Sequence, residues 1–254
     1  MGVSREEDGT ETPCVTLVLE LSPKQTMDVG TVELGSTPLE EILLASDVTP
    51  LLAHPNPEAF NPENVFAFPM AQTPGPYLCT QGFGGPFTHF YSSTHHAVDI
   101  ACPIGTPITA IGAGTVVEVA DSHAAGGIHV SRLFAWNSIL VAMAGGIHAE
   151  YVHIAQGSAV VMVGDTVEQG QRLCLSGDVG FCPSPHLHVQ VYPSRDPKAP
   201  SLRFAFQPTT PSSSPSASFY FPEEGKWYSH DGPTQEPPRC QPCGLFAVGA
   251  GGEA

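Results

Sequence analysis

Glycine and proline interrupt this chain so often that long helices have little room. The 254 residues include 26 glycines and 26 prolines, and both residue types end helices and favour turns. Short runs rich in β-branched residues stand between these breaks, for example at 115–119, 138–142 and 186–191. Such runs, separated by turn residues, are typical of antiparallel sheets. The sequence therefore predicts a mostly β protein with a compact antiparallel β sandwich or half-barrel core.

The strand-like texture is confined to the middle of the chain, which indicates separate regions. Residues 1–70 contain a strand candidate at 15–20 and a short helix that begins near Thr37, where an N-cap hydroxyl, a first-position proline and a capping-box glutamate follow one another. We interpret them as a small N-terminal strand–helix appendage. Residues 71–206 form the predicted β domain, and residues 207–254 begin with a Ser/Pro-rich low-complexity linker and end in a tail.

The charge balance excludes some classes of partner. Asp and Glu number 25 against 9 Lys and Arg, which gives a formal charge of −16. Nucleic acids and anionic membrane surfaces attract cationic proteins, so we expect neither as a partner. The first residues lack the basic-then-apolar plan of a secretory signal, and no apolar run reaches the roughly 18 residues that a membrane helix needs. We therefore expect a soluble chain, cytoplasmic by default, and its oligomeric state stays open.

The number of cysteines does not indicate a disulfide framework. There are seven of them, so they cannot all pair with one another, and the chain shows no export signal. We expect free thiols or small buried side chains. Cys240 and Cys243 form a Cys-x-x-Cys pair, which is half of a zinc knuckle or a redox motif. Because no second pair stands at a matching spacing, we assign that pair no metal role.

Histidine is not a strand former, yet nine of the eleven histidines lie in the predicted β domain. His186 and His188 stand two residues apart in one strand-like run, so both side chains project from the same face. Asp99 lies in the apolar run 97–101, where a charge needs a partner, and His153 lies in another strand-like run. Singly, Asp99 reads as a turn carboxylate and His153 as a satisfied core histidine. Together these residues indicate a metal site.

Several short motifs follow one another through the predicted β domain. They are His-Ala-Val-Asp-Ile-Ala-Cys-Pro-Ile-Gly-Thr-Pro at 96–107, Gly-Thr-Val at 114–116, Trp-Asn-Ser-Ile at 136–139, Tyr-Val-His at 151–153, Val-Gly-Asp-Thr-Val-Glu-Gln-Gly-Gln at 163–171, Ser-Gly-Asp-Val-Gly at 176–180 and Ser-Pro-His-Leu-His at 184–188. In this order they resemble the lysostaphin-type zinc metallopeptidases, which cut peptide cross-links in bacterial cell walls. The resemblance implies a compact antiparallel β scaffold with the metal in a groove across one sheet.

The resemblance also implies the roles of individual residues. Asp99 and His188 match the family's aspartate and final histidine, which hold zinc. His153 and His186 match the two histidines that assist catalysis. Three protein ligands leave a fourth position for water, which is the arrangement of catalytic zinc sites.

The first zinc ligand has two candidates, His89 and His95. The family's usual spacing picks His95, four residues before Asp99. Four residues of extended chain span roughly 13 Å, so both could bind one ion only if the chain bends, and Ala97 replaces the glycine that the family commonly has there. In one branch of the family a Ser/Thr-His after a Gln-Gly segment serves instead, and here Thr88 and His89 follow such a segment. We favour His89, keep His95 as the alternative, and expect His96 to face away.

The resemblance predicts a zinc metalloendopeptidase, a hydrolase that cleaves peptide bonds through a zinc-activated water, with peptides and peptidoglycan as candidate substrates. Either His153 or His186 would transfer the proton, and the sequence does not decide which. Two alternatives stay open. One is a non-catalytic peptide- or protein-binding module on the same scaffold with a retained metal site. The other is a structural metal site in which a further side chain closes the zinc shell.

Overall fold

The computed structural model describes residues 2–5, 11–14, 60–71, 75–196, 199–209 and 219–234. The strand candidate at 15–20, the helix that begins near Thr37 and the Cys240–Cys243 pair lie outside these residues.

The described residues are mostly β-strands, as the glycine and proline content predicted. Two short 3-10 turns, Val130–Arg132 and Ala144–Gly146, interrupt them. The strands are β1 Gly2–Arg5, β2 Glu11–Cys14, β3 Phe60–Ala67, β4 Tyr77–Gln81, β5 Val98–Ala101, β6 Pro107–Thr109, β7 Gly114–Ala120, β8 Gly126–Gly127, β9 Ser138–Met143, β10 His148–Val152, β11 Thr166–Val167, β12 Arg172–Leu175, β13 Gly180–Phe181, β14 His186–Tyr192, β15 Arg203–Gln207, β16 Trp227–Ser229 and β17 Gly232–Thr234.

One large sheet organises the domain. Its strand order is β11-β7-β9-β10-β14-β5-β4-β16-β17, and all neighbouring strands in it are antiparallel. Two smaller sheets pair β12 with β6 and β15 with β3, and a four-stranded sheet has the order β13-β8-β1-β2. The mostly β, antiparallel fold class is therefore confirmed.

Strand β14 lies near the middle of the large sheet, between β10 and β5. Apolar and polar residues alternate along this strand, and its apolar residues Leu187, Val189 and Val191 are fully buried in the core. Burial of this face explains the central position of the strand. Side chains two residues apart share a face of a strand, so His186, His188, Gln190 and Tyr192 project from the opposite face. The apolar face fixes the register, and the register in turn fixes where the polar residues stand.

The core joins the large sheet to two of the smaller ones. Ile108 of β6, Leu173 of β12 and Phe204 of β15 share one apolar cluster with the buried residues of β14. Each such side chain contributes about 1.5–3 kcal/mol when it is fully buried. This layer holds the polar face of β14 in a fixed position above it.

The described parts of both flanks contact the predicted β domain. Strand β3 runs parallel to β15, and the amide of Ala67 donates to the carbonyl of Ile111 at 2.9 Å. Strand β16 extends the large sheet at β4, where the amide of Cys79 donates to the carbonyl of Lys226 at 2.9 Å. The domain limits at 70 and 206 stay a prediction.

In the part of the chain that the structure describes, no helix has the length and apolar character that crossing a membrane requires. Four described cysteines are free and buried, as expected from the odd cysteine count: Cys79, Cys102, Cys174 and Cys182.

Candidate active site

Three predicted ligands meet on the polar face of the large sheet. Asp99 of β5 lies directly opposite His188 of β14 in the register, and the loop between β4 and β5 brings His89 to the same point. The Oδ1 atom of Asp99 lies 2.9 Å from Nδ1 of His188 and 3.2 Å from Nε2 of His89. The two histidine nitrogens are 3.3 Å apart. All three residues are buried.

A backbone carbonyl fixes the orientation of the His89 ring. Its Nδ1 lies 2.8 Å from the carbonyl oxygen of Gly82, and since a carbonyl only accepts, Nδ1 carries the proton. In the neutral ring Nε2 then carries the lone pair, and it faces the Oδ1 atom of Asp99. Two electron-rich atoms at this distance repel each other unless a cation or a proton lies between them.

This arrangement fits a zinc ion. A tetrahedral zinc with bonds of about 2.0–2.1 Å has its ligand atoms about 3.3 Å apart. The separations among His89, Asp99 and His188 are 2.9–3.3 Å. Two imidazoles and one carboxylate are also ligands that zinc prefers. The candidate metal centre is thus made of His89 Nε2, Asp99 Oδ1 and His188 Nδ1.

The charge of Asp99 is stabilised in place. Burial alone would raise the pKa of this carboxyl, but the three histidines around it outweigh burial and hold the pKa of Asp99 well below its usual value. Asp99 is therefore an anion at neutral pH, as a metal ligand must be.

Gln81 is a residue of this site whose role the sequence interpretation missed. Its Nε2 donates to the Oδ2 atom of Asp99 at 2.9 Å, and its Oε1 accepts from the amide of Phe87 at 2.9 Å. Gln81 therefore orients the carboxylate and also ties down the loop that carries His89. Such partners behind a ligand commonly affect metal affinity. The signal in the sequence was its position at the end of a strand, directly before Gly82.

His95 and His96 lie outside this cluster. The carbonyl of His95 accepts from the amide of Gly84 at 2.8 Å, and its ring packs over Gly84, where a Cβ would come within 3.2 Å. The Nδ1 of His96 lies 2.9 Å from the carbonyl of Ser201. Among the described residues the geometry brings His89, and not His95, to the candidate metal centre. The identity of the first ligand stays a prediction.

A second cluster of His153, Cys182 and His186 adjoins the first. The rings of His153 and His186 have centroids 4.6 Å apart, and Nε2 of His186 lies 3.6 Å from Oδ1 of Asp99. The Sγ atom of Cys182 lies 3.3 Å from Nδ1 of His186. These three residues also offer ligand atoms close enough to share a metal. The two histidines predicted to assist catalysis thus lie beside the three predicted ligands.

His153 is held in an unusual backbone conformation. It directly follows β10 and has a φ of 63°, the one positive φ of a non-glycine residue among those described. This left-handed region is costly for residues with a side chain, and it occurs often at functional sites. Gly177 makes the turn possible, since a Cβ there would come within 2.9 Å of the carbonyl oxygen of His153.

The second cluster holds its two histidines in opposite protonation states. The Nδ1 of His153 donates to the carbonyl of Val179 at 2.6 Å, and the Nδ1 of His186 donates to that of Ser184 at 2.7 Å. Burial, with repulsion from the neighbouring histidines, holds the pKa of His153 well below its usual value. Burial also opposes charge on His186, but Cys182 and Asp99 outweigh it and raise the pKa of His186 to about 9. His153 is therefore a neutral base with a free Nε2, and His186 is a cationic donor.

A cavity of about 230 Å³ opens beside Asp99 and His186. It is smaller than the 300–1,000 Å³ or so typical of pockets for drug-sized ligands, so it suits a single side chain of a substrate. Its walls are formed by Thr80, Gln81, Pro86, Phe87, Asp99, Pro183, Ser184, His186 and Glu224.

The comparison with family models assigns the central part of the chain. The model described as Peptidase family M23 matches residues 93–200. Residues 93–200, called the M23 domain, are therefore similar to the domains of this peptidase family. The match contains Asp99, His153, His186 and His188 and begins four residues after His89. The predicted resemblance to lysostaphin-type peptidases is confirmed at the level of the family.

Relatives with known names are similar over this domain. Lysostaphin of Staphylococcus staphylolyticus is 35% identical over 113 residues, which are 43% of this chain and 21% of lysostaphin. The glycyl-glycine endopeptidase ALE-1 of Staphylococcus capitis is 34% identical over 113 residues, or 43% of this chain and 28% of ALE-1. The peptidoglycan DD-endopeptidase ShyA of Vibrio cholerae is 32% identical over 97 residues, or 38% of this chain and 20% of ShyA. The chain thus spans a fifth to about a quarter of these relatives' lengths.

Among solved structures, the catalytic domain of lysostaphin from Staphylococcus simulans aligns with 28% identity and a TM-score of 0.35. The alignment covers 50% of this chain and 84% of that domain.

Proposed function

We propose that this chain is a zinc-dependent metalloendopeptidase, a hydrolase of peptide bonds, with cell-wall cross-link peptides as its candidate substrates. The observation that carries the proposal is the mutual 2.9–3.3 Å separation of three buried ligand atoms from His89, Asp99 and His188. The names of the relatives support the substrate class, because lysostaphin, ALE-1 and ShyA are similar to the M23 domain of this chain.

Each residue has a part in the proposed reaction. His89, Asp99 and His188 would hold zinc, which would supply Lewis acidity toward water and a carbonyl oxygen. The neutral His153 accepts a proton from the attacking water at Nε2. The protonated His186 donates a hydrogen bond to the oxygen on which negative charge develops. As the C–N bond breaks, the proton taken up by His153 passes to the departing amine.

A structural metal site is the second candidate, and one distance favours it. The Nε2 atom of His186 lies 3.6 Å from Oδ1 of Asp99, although His186 is not among the described residues whose ligand atoms all lie within 4.8 Å of one another at the candidate metal centre. The cavity beside Asp99 and His186 favours the catalytic site, because a closed structural shell has no use for an adjoining pocket.

The test combines metal analysis with hydrolysis. The purified protein should contain one zinc per chain and should cleave pentaglycine or purified peptidoglycan, and a chelator should abolish cleavage until zinc is restored. Asp99→Ala should contain no zinc and show no cleavage. His123→Ala, which replaces an exposed histidine of the same domain, is the matched control and should behave as the parent.

Two outcomes would separate the candidates. A parent protein that contains zinc but cleaves none of these substrates would favour the binding module or the structural site. A parent protein without zinc above background would remove the metallopeptidase proposal altogether.

A further inference from the structure

Strands β16 and β17, which follow the M23 domain, form a β-hairpin that extends the large sheet. Strand β16 pairs with β4, with Trp227 opposite Leu78 and Tyr228 opposite Tyr77. Tyr228 is almost fully buried and stacks on Tyr220 with ring centroids 5.1 Å apart. The hairpin lies outside residues 93–200, the part that the family model matches. It is therefore an addition to the M23 domain that packs firmly against the strand next to β5.

The turn before β16 reaches the active-site cavity. The amide of Gly225 donates to the carbonyl of Cys79 at 2.9 Å, and the amide of Glu223 donates to the hydroxyl of Tyr228 at 2.9 Å. These bonds fix the backbone on both sides of Glu224. The exposed residue Glu224 lines the same cavity of about 230 Å³ as Asp99 and His186. The hairpin thus supplies one wall of the site.

The chemistry of this cavity is that of a site for a cation on an aliphatic stem. Pro86, Phe87 and Pro183 form apolar walls, and none of the described residues that line it is a lysine or an arginine. The cationic residue that lines it, His186, lies beside Asp99, with Nε2 3.6 Å from Oδ1 of that carboxylate. The Asp99 carboxylate is already engaged by histidines, which leaves Glu224 to face a substrate. The nearby Lys226 ammonium pairs with Glu223 at 2.6 Å.

We propose that Glu224 is a specificity-determining residue that binds a primary ammonium group on an aliphatic side chain, as in lysine, of the substrate peptide. This proposal rests on the proposed peptidase function for its meaning, because the cavity adjoins the candidate metal centre. Phe87 and the prolines contact the methylene stem, as aliphatic parts of lysine commonly pack on apolar surface. The Glu224 carboxylate contacts the ammonium at the outer end.

The test uses N-acetylated pentaglycine amides in which lysine, norleucine or glutamate replaces one glycine at each position in turn. The relative kcat/KM of the zinc-loaded protein should favour lysine over norleucine, and norleucine over glutamate, at one position. Glu224→Gln should lower the lysine-over-norleucine ratio about three- to fivefold, the scale of one partly exposed ion pair. Glu224→Lys should reverse the order of lysine and glutamate. Glu223→Gln, which removes the same charge one residue away, is the matched control and should keep the parent ratio.

A second readout separates this proposal from the proposed function. Calorimetry of the same peptides with chelator-treated protein measures binding without hydrolysis, and the lysine preference should again be lost in Glu224→Gln. A preference of this kind without any cleavage would support the role of Glu224 while the peptidase proposal fails. Cleavage with no lysine preference in the parent, or equal loss in Glu223→Gln, would overturn the role of Glu224.

Discussion

His186 and His188 stand two residues apart on the same face of β14, yet their surroundings give them different chemistry. His188 turns Nδ1 toward Asp99 at 2.9 Å and toward His89 at 3.3 Å. The Nδ1 of His186 donates a hydrogen bond to the carbonyl of Ser184 at 2.7 Å, and its ring packs against the ring of His153. Two histidines on one strand face can therefore serve different roles, because different backbone acceptors and neighbouring residues fix the orientation of each ring.

The largest expected effect concerns the first ligand of the cluster that contains His188. His89→Ala should remove zinc and reduce hydrolysis to background, because it removes one of three atoms within 3.3 Å of one another. His95→Ala is the matched change and should keep both zinc and activity. Metal analysis and peptide hydrolysis on both variants measure this. Zinc loss in His95→Ala with zinc retained in His89→Ala would reverse the choice.

The different roles of His186 and His188 on β14 predict that their alanine variants differ in zinc content. His188→Ala should lose both zinc and activity. His186→Ala should keep zinc nearly stoichiometric but lower turnover by roughly 100-fold or more, the scale of one acid–base or oxyanion group. Zinc content and kcat, measured on the same preparations, test this. Equal zinc loss from both would make His186 a fourth ligand, and the structural site would become the better interpretation.

The hydrogen bonds of Gln81 to Asp99 and to the loop that carries His89 predict an effect on zinc affinity. Gln81→Leu removes the bond to Oδ2 of Asp99 and the bond from the amide of Phe87. We expect zinc affinity to fall about 10- to 100-fold, measured by competition with a chromophoric chelator. Gln156→Leu, the same change at an exposed glutamine outside the site, serves as the control. An unchanged affinity in Gln81→Leu would mean that the loop holds His89 without this residue.

The smallest effect concerns the cysteine of the second cluster. Cys182 contacts His186 through Sγ at 3.3 Å, but the carbonyl of Ser184 already orients that ring. Cys182→Ala should therefore keep zinc stoichiometric and change kcat by no more than about tenfold, since one hydrogen bond contributes about 0.5–1.5 kcal/mol. A loss of activity as large as that of His186→Ala would show that the thiol itself takes part.

Several expectations from the sequence hold because they depend on short-range patterns. The runs at 115–119, 138–142 and 186–191 are strands, since β-branched content and alternation are local properties. The shared face of His186 and His188 follows from the two-residue period of a strand alone.

Other features needed the folded chain. The sequence left His89 and His95 as alternatives, because a loop of nine residues between His89 and Asp99 can place either side chain in many directions. Which ring nitrogen of His153 and of His186 donates depends on the carbonyls of Val179 and Ser184, and the residue type does not show where a carbonyl points. The sequence also treated the residues after 206 as a linker and tail, and offered no reason to connect Glu224 with the site.

The β class of this protein, the resemblance to M23 peptidases and the residue types able to hold zinc can all be inferred from the sequence. They follow from turn frequency, alternation and motif order, which are properties of neighbouring residues. The folded chain was needed to show that His89 lies 3.3 Å from a histidine 99 residues away, that Gln81 supports Asp99, and that a residue of the turn before β16 lines the cavity. Contacts between distant residues depend on sheet register and loop closure, and these are fixed only when the whole core packs.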